Sequence, residues 1–155
     1  MTAGFSLVGL LIAVAVLAPN LLLVVLPPLK GELPTSRPAL VFVVLERVGQ
    51  AACLAVLILF GTTFDGRQPD VFFALMVLAI AAYYGLWLRY LALGRDATAL
   101  YSPLGFLPIP MAILPVLAFA LAAGWGGSVW LLIAAVVLAI GHWTTSWHSR
   151  AQARR

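Results

Sequence analysis

The sequence predicts an all-α integral membrane protein, a bundle of five transmembrane helices in a single domain spanning 1–155. Three observations carry that expectation. The chain is 64% hydrophobic and only 9% charged, with a mean hydropathy of +1.10. A soluble domain carries about 25% charged residues, so this chain has too few to cover a globular surface, and its apolarity also excludes disorder. The apolar residues gather into runs at 5–27, 39–61, 71–93, 104–123 and 129–147, each close to the roughly 20 residues that cross about 30 Å of hydrocarbon. The connections between runs are short, which makes neighbouring helices antiparallel.

The runs differ in how cleanly they read. Before the first, Met1-Thr2-Ala3-Gly4 has no positive charge, so a retained helix is expected rather than a cleaved signal. Pro19 removes a donor inside this helix and predicts a kink near Ala15 and Val16. The second and third runs are clear spans. Residues 104 to 147 form one apolar stretch far longer than a bilayer, divided by Gly124-Trp125-Gly126-Gly127-Ser128. Ahead of the fourth helix, Pro103, Pro108 and Pro110 predict a broken, partly re-entrant start, because proline drives the preceding residue out of the α region. Regular helix is expected from about Pro110, with a further kink at Pro115. The fifth run loses apolarity at His142, and a short basic tail, 148–155, follows.

Lysine and arginine set the orientation. Lys30, Arg37, Arg47, Arg89, Arg95, Arg150, Arg154 and Arg155 fall toward one face, and Arg67, between Asp65 and Asp70, toward the other. The positive-inside bias then predicts an external N-terminus and a cytoplasmic C-terminus. Trp87, Tyr90, Trp143 and Trp147 are expected to border the cytoplasmic interface, and Phe72, Phe73, Trp125 and Trp130 the opposite one.

The polar residues inside apolar runs are the candidates for function. Counted from the cytoplasmic ends, Asn20 and Glu46 lie about 10 Å deep, His142 about 8 Å and Arg89 about 6 Å. Four helices therefore contribute to one polar layer. Glu46, Gln50 and Cys53 share a helix face, whereas Arg47 is rotated about 100° from Glu46 and can snorkel to water. A carboxylate at that depth must be protonated or paired, and Arg89 and His142 are the expected partners. Tyr83, Trp87 and Tyr90 make an aromatic stripe, with Tyr83 nearest mid-membrane. His142, Thr145 and Ser149 form a polar edge on the fifth helix. The expected ligand-binding set is Asn20, Glu46, Arg47, Gln50, Tyr83, Arg89 and His142.

Other chemistry finds no support. Cys53 is the lone cysteine, His142 and His148 do not share a helix face, and no haem ligands, phosphate-cradling loop or nucleophile elbow stands out. No cofactor, metal or catalytic residue is expected. The net charge of +4 is dispersed, which argues against nucleic acid. In size, number of spans and tryptophan content the chain resembles the tryptophan-rich sensory proteins. That resemblance is architectural and implies a role for no particular residue.

The leading expectation is a multi-pass protein of a bacterial-type inner membrane. It would bind or transport a small apolar or amphipathic molecule, such as a lipid, through a cytoplasm-facing polar pocket. Two other readings remain open. One is an enzyme acting on a lipid headgroup. The other is an accessory subunit, in a homo-oligomer or a larger complex, docking through small residues such as Gly49, Ala51 and Ala52. The topology is directly testable: a reporter fused after Arg155 should read cytoplasmic and one inserted near Gly66 external. Both reading on one side would refute the helix count or its register.

Overall fold

A computed structural model of the protein describes residues 3–31, 33, 38–60 and 64–153, the last without its side chain. The described residues are helical, with no strand beyond three isolated bridges. Four helices are long and apolar enough to cross a membrane: Leu7–Val25, Leu40–Leu59, Val71–Ala92 and Val129–Gln152. The remaining long helix, Pro110–Gly126, is apolar but has 17 residues. Large apolar side chains such as Leu11, Val24, Val44 and Leu78 face outward, as a lipid-facing surface requires.

The first helical stretch is compound. Helix α1, Leu7–Leu17, starts at Ser6, whose buried hydroxyl oxygen accepts from the Gly9 N–H and donates to Asp65 Oδ1, each at 3.0 Å. Pro19 then tightens the chain into a 3-10 turn over Ala18–Leu21, followed by the short α2, Leu22–Val25. The change of helix type sits a turn later than the expected kink at Ala15 and Val16, because the backbone adjusts around the proline itself. Helix α3 spans Leu40–Leu59 and α4 spans Val71–Ala92, with Asp70 capping α4 by accepting from the Phe73 N–H.

After α4 the chain reverses through Gly94 and Arg95, both left-handed at φ 71° and 60°. Asp96 caps a 3-10 turn, Ala97–Leu100, accepting from the Thr98 N–H and hydroxyl at 2.8 Å. Those bonds hold its carboxyl below the usual carboxylate range. Backbone bonds from Leu29 to Arg95 and from Ala97 to Lys30 tie this reversal to the chain after α2.

Helix α5, Pro110–Gly126, corrects the expected span at 104–123 at both ends. Ile109, ahead of Pro110, lies outside the α region at φ −142° and ψ 74°, so the helix begins where the proline permits. At the other end Gly124, Trp125 and Gly126 stay helical. The turn needs only Gly127, left-handed at φ 62°, with the Ser128 N–H donating to the Ala123 carbonyl. The last helix, α6, runs Val129–Ala153 and passes through the residues expected as a separate tail. Nothing in Trp147–Ala153 breaks a helix. Arg37, Arg154 and Arg155 lie outside the described residues.

Helix α3 packs along α6, α6 against α5, α5 against α4, and α1 against α3. The α3–α6 contact is backbone to backbone. A Cβ on Gly49 would collide with the Leu138 backbone, and one on Gly141 with the Glu46 backbone. Gly9 abuts the Leu57 carbonyl of α3 in the same way. Gly85, in contrast, has open space around it.

Three expected interface aromatics belong to the interior. Trp87, Tyr90 and Trp125 are all buried, because each meets partners inside. Tyr90 donates to the Leu26 carbonyl at 2.9 Å, and Trp125 donates to the Gln68 carbonyl at 3.1 Å while packing on Phe64 and Phe73. Trp147 remains outward, under the Arg150 guanidinium.

Glycine substitution separates these environments. Gly49→Ala and Gly141→Ala should each lower stability by about 1–3 kcal/mol or more, the cost of overpacking a rigid contact. Gly85→Ala should be neutral or stabilising by up to about 1 kcal/mol, the helix-propensity difference. Melting in detergent measures all three, and a Gly49→Ala variant as stable as Gly85→Ala would refute the close contact.

Candidate functional site

The glycine contact places one ionisable cluster. Glu46 sits one turn before Gly49 on α3, opposite Gly141 and His142 on α6. Its Oε1 is 2.8 Å from His142 Nδ1, and its Oε2 accepts from the Thr145 hydroxyl at 2.9 Å. A carboxylate can only accept, so this contact puts the ring hydrogen on Nδ1. His142 and Thr145, three apart, lie on the same side of α6. Both carboxylate oxygens are thus held by the neighbouring helix, while the side chains keep 24% exposure at Glu46 and 29% at His142.

A second polar contact closes the opposite side. The Tyr83 hydroxyl of α4 donates to Asn20 Oδ1 at 2.7 Å. Asn20 belongs to the 3-10 turn set by Pro19, so the proline places the amide that reaches α4. Tyr83 and Trp87 meet edge to face with ring centroids 6.2 Å apart, and Trp87 meets Tyr90 similarly at 5.7 Å. The Trp87 indole nitrogen is buried beside the Tyr83 hydroxyl, with no acceptor at hydrogen-bond geometry among the described residues.

Between these two contacts lies a cavity of about 420 Å³. It reaches from Val16 and Phe119 in the middle of the bundle to Tyr101 and Ser146 at the end that carries Lys30, Arg95 and Arg150. Asn20, Glu46, Arg47, Gln50, Tyr83 and His142 all line it. Arg89 does not. It forms no ion pair with Glu46, whose two oxygens are both engaged by α6, and its Nη1 is buried with no partner among the described residues. Counting along α4 gives Arg89 a depth but not a direction, and its place on α4 leaves it out of the cavity lining.

Several residues of the site were not in the expected binding set. Thr145, though not lining the cavity, fixes Glu46, and its spacing from His142 was the available signal. Trp87 follows Tyr83 by one turn on the aromatic stripe. Helix α5 supplies Met111, Ala112, Pro115 and Phe119, whose apolar identity gave no sign of a site. Pro115 withholds the donor that the Met111 carbonyl would otherwise receive. Near the mouth, burial raises the Tyr101 hydroxyl above its ordinary value of 10.0.

The arrangement offers a mostly apolar compartment with a carboxylate–imidazole pair on one wall and an amide–phenol pair on another. Among the described residues, no three His, Cys, Asp or Glu side chains converge on a metal position. No protein family, curated protein or solved structure matches the chain. The cavity therefore has to be read from its own chemistry.

The pairing of Glu46 is measurable. Glu46→Gln and His142→Phe should each destabilise the protein, with a coupling of about 1 kcal/mol in a double-mutant cycle, as for residues in direct contact. Glu46→Gln with Arg89→Met should be additive within about 0.5 kcal/mol. Strong coupling to Arg89 and none to His142 would contradict this geometry.

Proposed function

We propose that the protein binds or carries a small apolar or amphipathic molecule, a lipid or similar compound, in the cavity between its helices. In this reading it is a multi-pass protein of a bacterial-type inner membrane. Helix α5 is a fifth span, the N-terminus is external, and the lysine- and arginine-bearing end faces the cytoplasm. The cavity of about 420 Å³ carries the proposal. Packed interiors hold few voids larger than a water molecule, and small-molecule sites commonly occupy about 300–1,000 Å³. Leu23, Val116, Phe119 and Leu138 suit an apolar body, while Glu46–His142 and Asn20–Tyr83 suit a polar group that must be oriented. The excess of Lys and Arg at one end supports the orientation.

The test is retention of a bound molecule. Protein extracted gently, with its native lipid, should carry a small molecule detectable by mass spectrometry. Ala112→Phe, which fills the cavity, should reduce its occupancy about tenfold, equivalent to roughly 1.4 kcal/mol of binding. Ala81→Phe on the outward side of α4 should leave it unchanged. Equal occupancy in both variants would place the molecule elsewhere and refute the site.

A further inference from the structure

The segment leading into α5 is built unlike a polar loop. Leu104 and Leu107 exchange two backbone hydrogen bonds, each 3.0 Å, closing a turn with Gly105 and Phe106 at its tip. Gly105 adopts φ +55°, which glycine accepts without strain. Phe106 is 93% exposed and Leu104 51%. Pro103 and Pro108 flank the turn and prevent either side from continuing as helix. Apolar side chains are presented outward while the paired backbone groups satisfy one another. That combination is costly in water and suited to lipid, where backbone polar groups must find partners internally.

The helix lengths give the depth. The Gly126 end of α5 lies against the chain around Gln68, through Trp125. From there, its 17 residues extend about 25 Å, short of the roughly 30 Å of hydrocarbon. The antiparallel α6 beside it has 25 residues and extends well beyond. Residues 104–109 therefore occupy the last layer of the apolar region, at the end that carries Lys30 and Arg95.

We propose that the Leu104–Leu107 turn is a preformed interfacial finger whose Phe106 and Leu104 insert into the boundary between headgroups and acyl chains, with the bilayer as its partner. The inference rests on α5 being a membrane span, as read above. Exposed Lys30 and the partly exposed Arg95 at the same end suit anionic headgroups. Ile109 and Met111, next along the chain, line the cavity, so the finger couples one cavity wall to the membrane surface.

The experiment uses the full chain with Cys53→Ala and a single new cysteine, carrying an environment-sensitive fluorophore, in vesicles containing anionic phospholipid. Labels at Phe106→Cys and Leu104→Cys should be quenched by a nitroxide near the headgroup end of the acyl chain at least about twofold more than by one near its methyl end, as an interfacial depth requires. Aqueous iodide should quench them weakly. A label at Arg67→Cys should respond to iodide, and one at Ala82→Cys, outward in the middle of α4, to the deep nitroxide. Iodide quenching at 104 and 106 matching that at 67 would overturn the finger, as would protection from every quencher, which means protein covers it. An iodide-sensitive label at 82 would instead overturn the span reading itself.

Discussion

The close approach of α3 and α6 at Gly49 and Gly141 is the constraint on which the rest of the molecule depends. Lipid tails are as apolar as leucine, so no hydrophobic force draws two helices together inside a bilayer. Association there relies on dispersion between surfaces in contact and on hydrogen bonds between helices. The two glycines supply the first by removing the side chains that would hold the backbones apart. Each costs about 1 kcal/mol of helix propensity, which the contact must offset. The same approach supplies the second. With the Glu46 backbone resting on Gly141, its carboxylate reaches both His142 and Thr145 at hydrogen-bond distance. A carboxylate that would be costly alone in an apolar layer becomes part of the helix contact.

The cavity follows from the unevenness of the packing. Where α3 lies on α6 there is no space between backbones. Across the bundle, the 3-10 turn after α1 and the residue that ends α2 meet α4 through single side chains, Tyr83 to Asn20 and Tyr90 to the Leu26 carbonyl. Hydrogen bonds of that kind join helices at a distance set by a phenol ring, and the interval remains open. Two prolines assist. Pro19 converts one turn to 3-10 form and places Asn20, while Pro115 interrupts the hydrogen bonding of α5 along the wall. The protein is tight on one side and propped open on the other.

Much of the candidate site was legible in the sequence because so few polar residues occur in its apolar runs. Asn20, Glu46, Gln50 and His142 stood out by contrast with their neighbours, and they line one cavity. Arg89 stood out equally and faces elsewhere. Depth can be counted along a helix, but the direction a residue faces depends on how that helix is rotated in the bundle. The same uncertainty misplaced Trp87, Tyr90 and Trp125 at the interfaces. A tryptophan near a helix end can serve a lipid boundary or a protein core, and the helices that pack over it decide between them. The wall from α5 was illegible for the opposite reason, since Ala112, Val116 and Phe119 look like any other membrane helix.

By itself the sequence determined what depends on short stretches of chain: helical class, the approximate lengths of the apolar helices, a disturbance caused by Pro19, a helix start near Pro110 and a turn somewhere within Gly124–Ser128. Those features follow from local backbone chemistry and from the count of consecutive apolar residues. Tertiary structure decided which faces meet. Gly49, a small residue that suited an external docking surface, is buried against Leu138, whereas Gly85 on α4 meets nothing. Glu46 chose His142 over Arg89. Each outcome turns on the rotation and spacing of helices far apart in the chain, which are fixed by the sum of contacts across the bundle and not by the residues on either side.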